Sequence, residues 1–194
     1  MMAENDIEKL RKQIEGLKKA SMNLGTVLGL YYAVKFFLFP LGLTSGIAGM
    51  LFIGLTLLVP VLAYKLTKRY RQSLPDGFMS YMQAWTFVLR LFFFASLLVA
   101  VVHYVYFAFM DKGALLQALT YNLEQMRSTS VDGVTNQASW QAQLELFQES
   151  LNNIASMTPI KLVMELFINN LFWGALLAVP IAAINVRKSF TPSK

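Results

Sequence analysis

The feature that most constrains this chain is a long apolar stretch at residues 84–110. It exceeds the roughly 20 apolar residues that a helix needs to cross a bilayer. The stretch also contains Arg90 and His103, which is the only histidine in the sequence. A charge exposed to lipid costs about 2.5–3.5 kcal/mol on insertion scales, so charged groups within spans usually face other helices or a wet cavity. The stretch therefore predicts a membrane span that carries candidate functional groups.

The composition agrees with a membrane location and excludes several kinds of chemistry. Of 194 residues, 56% are hydrophobic and 14% are charged, whereas soluble domains are about 45–50% apolar and about 25% charged. A chain with no cysteine and one histidine cannot form a disulfide, a thiolate nucleophile or a multi-histidine metal site. We predict no metal site, no cofactor and no catalytic residues. The net charge of +6 is attributed to cytoplasmic loops, and no nucleic-acid partner is expected.

Three further apolar stretches predict three further spans, at residues 21–39, 47–64 and 160–186. The fold class is therefore predicted to be all-α, a polytopic membrane protein with four transmembrane helices and an extracytoplasmic amphipathic helical hairpin between spans 3 and 4. Pro40 is predicted to end span 1 and to open a tight turn at residues 40–46. Span 3 is predicted to belong to one helix from Phe78 to Met110, with Asp76 as its N-cap.

The predicted organisation has five segments. They are a cytoplasmic amphipathic helix at 1–20, spans 1–3 at 21–110, an extracytoplasmic helical segment at 111–159, span 4 at 160–186, and a cytoplasmic tail at 187–194. The N-terminal segment, the loop after span 2 and the tail are basic, whereas the 111–159 segment is acidic. By the positive-inside rule, both termini are predicted to be cytoplasmic.

Gly25 and Gly29 form a GxxxG pair in span 1. Such a pair lets another helix approach closely. We expect a contact within the chain rather than a dimer face.

Four polar residues are predicted to meet in the outer half of the bundle: Lys35, His103, Glu165 and Asn169. The prediction counts residues from the span ends at 1.5 Å each. The alternative is that Lys35 and Glu165 each extend to the nearby headgroups. For His103, an interhelical hydrogen bond is preferred over a role in proton transfer, because such bonds are ordinary in membrane bundles.

A second candidate site lies nearer the cytoplasm. Pro60 and Pro180 are predicted to kink spans 2 and 4, which frees the carbonyl groups of Thr56 and Leu176. Arg90 is predicted to lie at a similar depth. It would donate to one of these carbonyl groups or bind a lipid phosphate, and the alternative is again extension to the interface.

The order of spans, together with one short segment, resembles a domain-of-unknown-function family of four-span bacterial membrane proteins, found mainly in the Bacteroidetes. The segment is Gly77-Phe-Met-Ser-Tyr-Met-Gln-Ala84, similar to the Gly-x-x-Ser-aromatic-x-Gln/Glu-Ala entry to the third span in that family. The resemblance covers residues 20–187. It implies an inner-membrane location and no established reaction.

The sequence leaves three functions open. The preferred one is a non-enzymatic accessory protein of the cell envelope that binds membrane lipids or a membrane-protein partner. The alternative is a small transporter or channel that uses Lys35, His103 and Glu165, for which four spans would require a homo-oligomer. The third, a membrane-embedded enzyme acting on lipid-linked substrates, is disfavoured by the scarcity of acidic and nucleophilic groups within the spans.

Overall fold

The computed structural model describes residues 2–74, 77–128 and 137–186. The described chain is helical, as the sequence predicts. The elements are α1 (Met2–Gly42), α2 (Gly46–Gln72), α3 (Tyr81–Val105) followed by a π-helical turn (Tyr106–Met110), α4 (Ala114–Ser128), α5 (Gln137–Ala155) and α6 (Pro159–Asn185).

Four segments are long and apolar enough to cross a membrane: Arg11–Gly42, Gly46–Gln72, Tyr81–Met110 and Pro159–Asn185. They correspond to the four predicted spans and give the chain the architecture of a polytopic membrane protein. The predicted tail at 187–194 lies outside the described residues.

Helix α1 is continuous from the charged N-terminal segment through the first span. The prediction that Pro40 ends this helix was wrong, because α1 continues to Gly42 and only residues 43–45 form the turn. The two helices approach closely at this point, where a Cβ on Gly42 would lie 3.0 Å from Cα of Gly49. Small residues on both sides thus allow α1 to extend up to the reversal.

Helix α2 also extends beyond its predicted end, through the basic segment to Gln72. The extension is amphipathic, because Leu66, Thr67 and Tyr70 are buried while Lys68 is exposed. Packing against the bundle therefore keeps these residues helical. As a result, Pro60 lies in the middle of α2 rather than near its end.

Helix α3 begins at Tyr81, not at the predicted Phe78. The Ser80 hydroxyl accepts from the backbone N–H of Gln83 at 3.3 Å, and the Gln83 side chain accepts from the backbone N–H of Ser80 at 3.1 Å. This reciprocal pair is a capping box, which satisfies two donors at the helix start. Ser80 is thus the N-cap, and Asp76, predicted for that role, lies outside the described residues.

The segment between α3 and α6 contains two helices. Asp111 accepts hydrogen bonds from the backbone N–H groups of Gly113 and Leu115 at the start of α4. Asn122 of α4 donates to the carbonyl oxygen of Leu43 at 3.4 Å, which attaches this helix to the turn between α1 and α2. Arg127 of α4 donates to Gln148 of α5 at 3.1 Å. The predicted turn between these helices falls mostly on residues 129–136, outside the described chain.

Helices α1 and α3 run parallel and make the closest backbone approach of the bundle. A Cβ on Gly25 would lie 2.9 Å from the carbonyl oxygen of Leu91, and a Cβ on Gly29 would lie 3.1 Å from that of Ala95. The predicted contact within the chain at the GxxxG pair is therefore confirmed. On the other side of α3, Gly174 of α6 lies against Phe92, with 2.7 Å between its hypothetical Cβ and the Phe92 Cβ.

The bundle has two distinct ends. The turn end contains the turn at residues 43–45 together with α4. At the opposite end, the Tyr70 ring of α2 stacks on Phe87 of α3 with ring centroids 4.3 Å apart. Arg71 of α2 there donates to the carbonyl oxygen of Asn185, the last residue of α6, at 3.0 Å. These contacts close the opposite end.

Candidate functional site

A cavity of about 400 Å³ lies among the four membrane spans. All four contribute to its wall at spacings of three or four residues, which is the repeat of one helix face. The lining residues are Tyr32, Lys35, Phe36 and Phe39 of α1; Phe52, Thr56, Val59 and Pro60 of α2; Val99 and His103 of α3; and Leu166, Asn169, Asn170, Trp173, Gly174 and Leu177 of α6.

Three polar side chains, Lys35, Thr56 and His103, lie in the part of the cavity nearer the turn end. Asn169 and Asn170 also line the cavity but lie nearer the opposite end, because Gly174, one helical turn from Asn170, packs against Phe92. The first three come from three different spans, so they do not form a stripe along one helix. We call the part nearer the turn end the polar end of the cavity.

On α2 and α3 the wall becomes apolar about one helical turn further toward the opposite end. Along α2, Thr56 is followed by Val59 and Pro60, and on α3, Val99 lies one turn below His103. The cavity therefore has a polar end at Lys35, Thr56 and His103 and a mostly apolar remainder, in which Asn169 and Asn170 are the polar side chains.

Lys35 is the cation of this cavity. Its Nζ donates to the Thr56 hydroxyl at 3.2 Å and lies 5.2 Å and 5.0 Å from the ring centroids of Tyr32 and Phe52. These are cation–π distances, so the two rings partly replace water around the ammonium group. Thr56 in turn donates to the Phe52 carbonyl oxygen at 2.8 Å. Within the described residues Lys35 forms no ion pair, so its charge has no acidic partner there.

His103 is held by packing. It is 6% exposed, and its ring lies 4.2 Å from that of Phe36 of α1, measured between centroids. Its Nδ1 is buried without a hydrogen-bond partner. The predicted interhelical hydrogen bond is therefore absent within the described residues, because the neighbouring α1 residue is aromatic rather than polar.

The structure brings together three of the four residues predicted to cluster. Lys35, His103 and Asn169 all line the cavity, whereas Glu165 does not. Glu165 lies one helical turn nearer the start of α6 and is exposed. Within the described chain it forms no ion pair with Lys35. In place of Glu165, the cavity has Thr56 and Asn170, which the sequence prediction did not include.

The second predicted site is not assembled. Pro60 lines the cavity near Val99 and His103, whereas Arg90 lies 13 residues before His103 on α3, which is about 20 Å along a helix. Arg90 is partly buried, and in the described part of the chain its guanidinium forms no hydrogen bond. The predicted bond to the carbonyl group of Thr56 or Leu176 is not formed there, and the other form of the prediction, a lipid phosphate bound by Arg90, stays a prediction. Pro180 lies inside α6, away from the cavity, and is exposed.

Two contacts that position the cavity were missed. The Tyr31 hydroxyl donates to the Leu55 carbonyl oxygen at 2.6 Å and joins α1 to α2 beside Lys35. Arg71 is 9% exposed and joins α2 to α6 at the opposite end. Tyr31 gave no signal in the sequence, since a single tyrosine within a predicted span does not indicate a partner on another helix. The helical spacing of Leu66, Thr67 and Tyr70 could have indicated that Arg71 lies on a helix.

Comparison with known proteins gives a family for this chain. A family model described as "Protein of unknown function (DUF4199)" matches residues 23–187. The chain belongs to this family. No match is found among curated proteins or among solved structures. Every residue that lines the cavity lies within the part matched by the DUF4199 model.

The segment that carried the resemblance to DUF4199 has a structural role at most of its positions. Gly77 has a φ of +56°, which favours glycine. Ser80 and Gln83 form the capping box of α3, and Met79 and Ala84 are fully buried. The segment therefore fixes the start of α3, the helix against which α1 and α6 pack.

Proposed function

We propose that this DUF4199 protein is a non-enzymatic membrane protein that binds an amphiphilic lipid in the cavity between its spans. The observation that carries the proposal is that the cavity has a polar end formed by Lys35, Thr56 and His103 and a mostly apolar remainder. Ligand pockets are typically about 300–1,000 Å³, mostly apolar, with a few placed polar groups. The volume of about 400 Å³ and the five polar side chains fit that description.

The polar group of the ligand would bind near Lys35. This ammonium group is partly buried and has no acidic neighbour in the described residues, so a bound polar or anionic group would compensate a charge that is poorly solvated. The Thr56 hydroxyl beside it adds a neutral hydrogen-bonding group. The hydrocarbon part would lie against Val59, Leu177 and the Gly174 backbone.

The alternative of a small oligomeric transporter or channel has less support. It was based on Lys35, His103 and Glu165 together, and Glu165 lies outside the cavity. The opposite end is closed by the Tyr70–Phe87 stack and by the Arg71–Asn185 bond. Proton or ion flux through purified protein in liposomes would favour the alternative.

The proposed location is a bacterial inner membrane with both termini cytoplasmic. Lys12 and Arg71 lie toward the opposite end, and Glu124, Glu145 and Glu149 lie on α4 and α5 beyond the turn end. This charge distribution follows the positive-inside rule. Because the sequence has no cysteine, single cysteines at Lys68 and Ser150 can report sidedness. A membrane-impermeant maleimide should label only Ser150→Cys from outside, and the reverse pattern would invert the topology.

The proposed function is tested by filling the cavity. Asn170→Trp places a large side chain at the cavity wall, and Ile168→Trp places the same side chain at an exposed position of α6 as a matched control. Native mass spectrometry after gentle detergent extraction should show a retained lipid with the wild type and Ile168→Trp, and its loss with Asn170→Trp. Equal lipid retention by all three would contradict binding in the cavity.

A further inference from the structure

We propose that the ligand of the cavity is a single-chain fatty acid, bound with its carboxylate at Lys35. This inference rests on the proposed function and names its ligand class. It is carried by the charge of the polar end, by the volume of the cavity and by the position of Lys35 within the bundle.

The charge of the polar end matches one negative charge. Among the described lining residues Lys35 is the one that carries a full charge, and the other polar members are hydroxyl, amide and imidazole groups. A carboxylate carries one charge and can accept a charge-assisted hydrogen bond from Lys35. A phosphomonoester carries about −1.5 to −2 charges. It would leave an uncompensated charge in a region of low dielectric constant.

The volume matches one hydrocarbon chain. At about 30 Å³ for a group the size of water, 400 Å³ holds roughly 13 such groups. One acyl chain of about 16 to 18 carbons therefore fills the cavity and extends a few carbons beyond it. A diacyl phospholipid, with two chains and a glycerol, exceeds this volume more than twofold. It would leave one chain outside the cavity.

The position of Lys35 disfavours a large headgroup. The Tyr32 and Phe52 rings lie 5.2 Å and 5.0 Å from Nζ, and Phe36 and Phe39 follow on the same face of α1 toward the turn end. A sugar or glycerol attached to an anionic group at Nζ would compete with these rings for space. A carboxylate ends the molecule at the ammonium group and needs no such space.

Fluorescence quenching can test this directly, because Trp173 lines the cavity. In a Trp85→Phe/Trp140→Phe background, Trp173 is the remaining tryptophan. Stearate brominated at carbons 9 and 10 quenches tryptophan on contact. We expect saturable quenching, with palmitate displacing the probe at a concentration at least about 10-fold lower than hexadecanol or dipalmitoylphosphatidylglycerol.

Variants then locate the carboxylate. Lys35→Met should raise the dissociation constant of the brominated stearate about 10- to 100-fold, the range expected for losing a charge-assisted hydrogen bond. Lys35→Arg, which keeps the charge, should bind within a few-fold of the wild type. Lys161→Met is the matched control, since Lys161 is an exposed lysine near the start of α6, at the turn end. Its dissociation constant for the brominated stearate should equal that of the wild type.

Each other outcome overturns the inference in a distinguishable way. Equal displacement by hexadecanol would reject the carboxylate and leave an amphiphile site. Stronger displacement by dipalmitoylphosphatidylglycerol would reject the single chain in favour of a phospholipid. Absence of saturable quenching, together with a lipid that Asn170→Trp removes, would reject a fatty acid and retain the proposed function. If Lys35→Met does not fold, the ranking of competitors on the wild-type chain still decides.

Discussion

The two pairs of helices that enclose the cavity are packed in opposite ways. Between α1 and α3, Gly25 and Gly29 let the backbones approach so closely that added Cβ atoms would lie 2.8 Å from Phe94 Cβ and 3.1 Å from the Ala95 carbonyl oxygen. Between α2 and α6, Arg71 donates to the carbonyl oxygen of Asn185 at the opposite end. Toward the turn end, the cavity separates these two helices.

This difference indicates how the bundle combines stability with binding. In a membrane, helix association depends on close packing and hydrogen bonds rather than on the hydrophobic effect. The glycine contacts supply that packing for α1 and α3. Helix α2 is joined to α6 by the Arg71 hydrogen bond at the opposite end, and to α1 by the Tyr31 hydrogen bond and the Gly42–Gly49 contact. The cavity separates α2 from α6 toward the turn end, so the region suited to a ligand is the one where helix–helix packing is least complete.

The largest effect is expected from Gly25→Leu. The new side chain would begin 2.9 Å from the Leu91 carbonyl oxygen, where the contact atom is backbone and cannot move aside. Overpacking costs about 1–3 kcal/mol and sometimes more, and a clash with backbone belongs at or above the top of that range. We expect a melting temperature lowered by at least about 6 °C in detergent, or failure to yield folded protein.

Gly54→Leu is the control for this variant. Gly54 lies on α2 with nothing within 4 Å of its hypothetical Cβ, so leucine there should be neutral or slightly stabilising, since glycine is a poor helix former. If both variants melt alike, close packing at Gly25 is not what holds α1 against α3.

A smaller loss of stability is expected from Arg71→Met. It removes a hydrogen bond from a charged donor, worth about 1.5–3 kcal/mol, and a cation near the C-terminus of α6, where the helix dipole favours positive charge. Thermal unfolding should show the loss. Arg69→Met, which changes an exposed arginine two residues earlier on α2, should melt as the wild type does. Equal melting of Arg71→Met and wild type would show that α2 and α6 are held together elsewhere.

The sequence alone predicted the spans, the hairpin of α1 and α2, and the close approach at the glycine pair. These features depend on apolar length and on residue size, both of which are visible locally. Three residues that line the cavity, Lys35, His103 and Asn169, were also assigned to the outer half of the bundle by counting from span ends.

The remainder of the cavity depended on helix ends that apolar length does not reveal. Helix α2 continues eight residues past its predicted end because its polar extension is amphipathic and packs on the bundle. Pro60 was predicted at the level of Arg90, whereas it lines the cavity one helical turn from Thr56, near the level of Val99. The N-cap was likewise assigned to Asp76, because a capping box requires both Ser80 and Gln83 to be recognised as a pair.

The smallest effect is expected for the coupling energy between Lys35 and Glu165. It tests whether Lys35, the cation of the cavity, has an acidic partner. A double-mutant cycle with Lys35→Met and Glu165→Gln, followed by unfolding in detergent, should give a coupling energy within about 0.5 kcal/mol of zero, as for side chains that do not interact. The physical reason is that Glu165 lies outside the cavity while Lys35 donates to Thr56.

The positive control for this cycle is Lys35→Met with Thr56→Val, which removes a hydrogen bond of 3.2 Å and should give a coupling of about 0.5 kcal/mol or more. A coupling above about 1 kcal/mol between Lys35 and Glu165 would show that the two charges meet in the membrane. Lys35 would then already be neutralised, and the argument for an anionic ligand would lose its main support. A value near zero leaves Lys35 as a partly buried cation whose missing counter-charge a carboxylate ligand can supply.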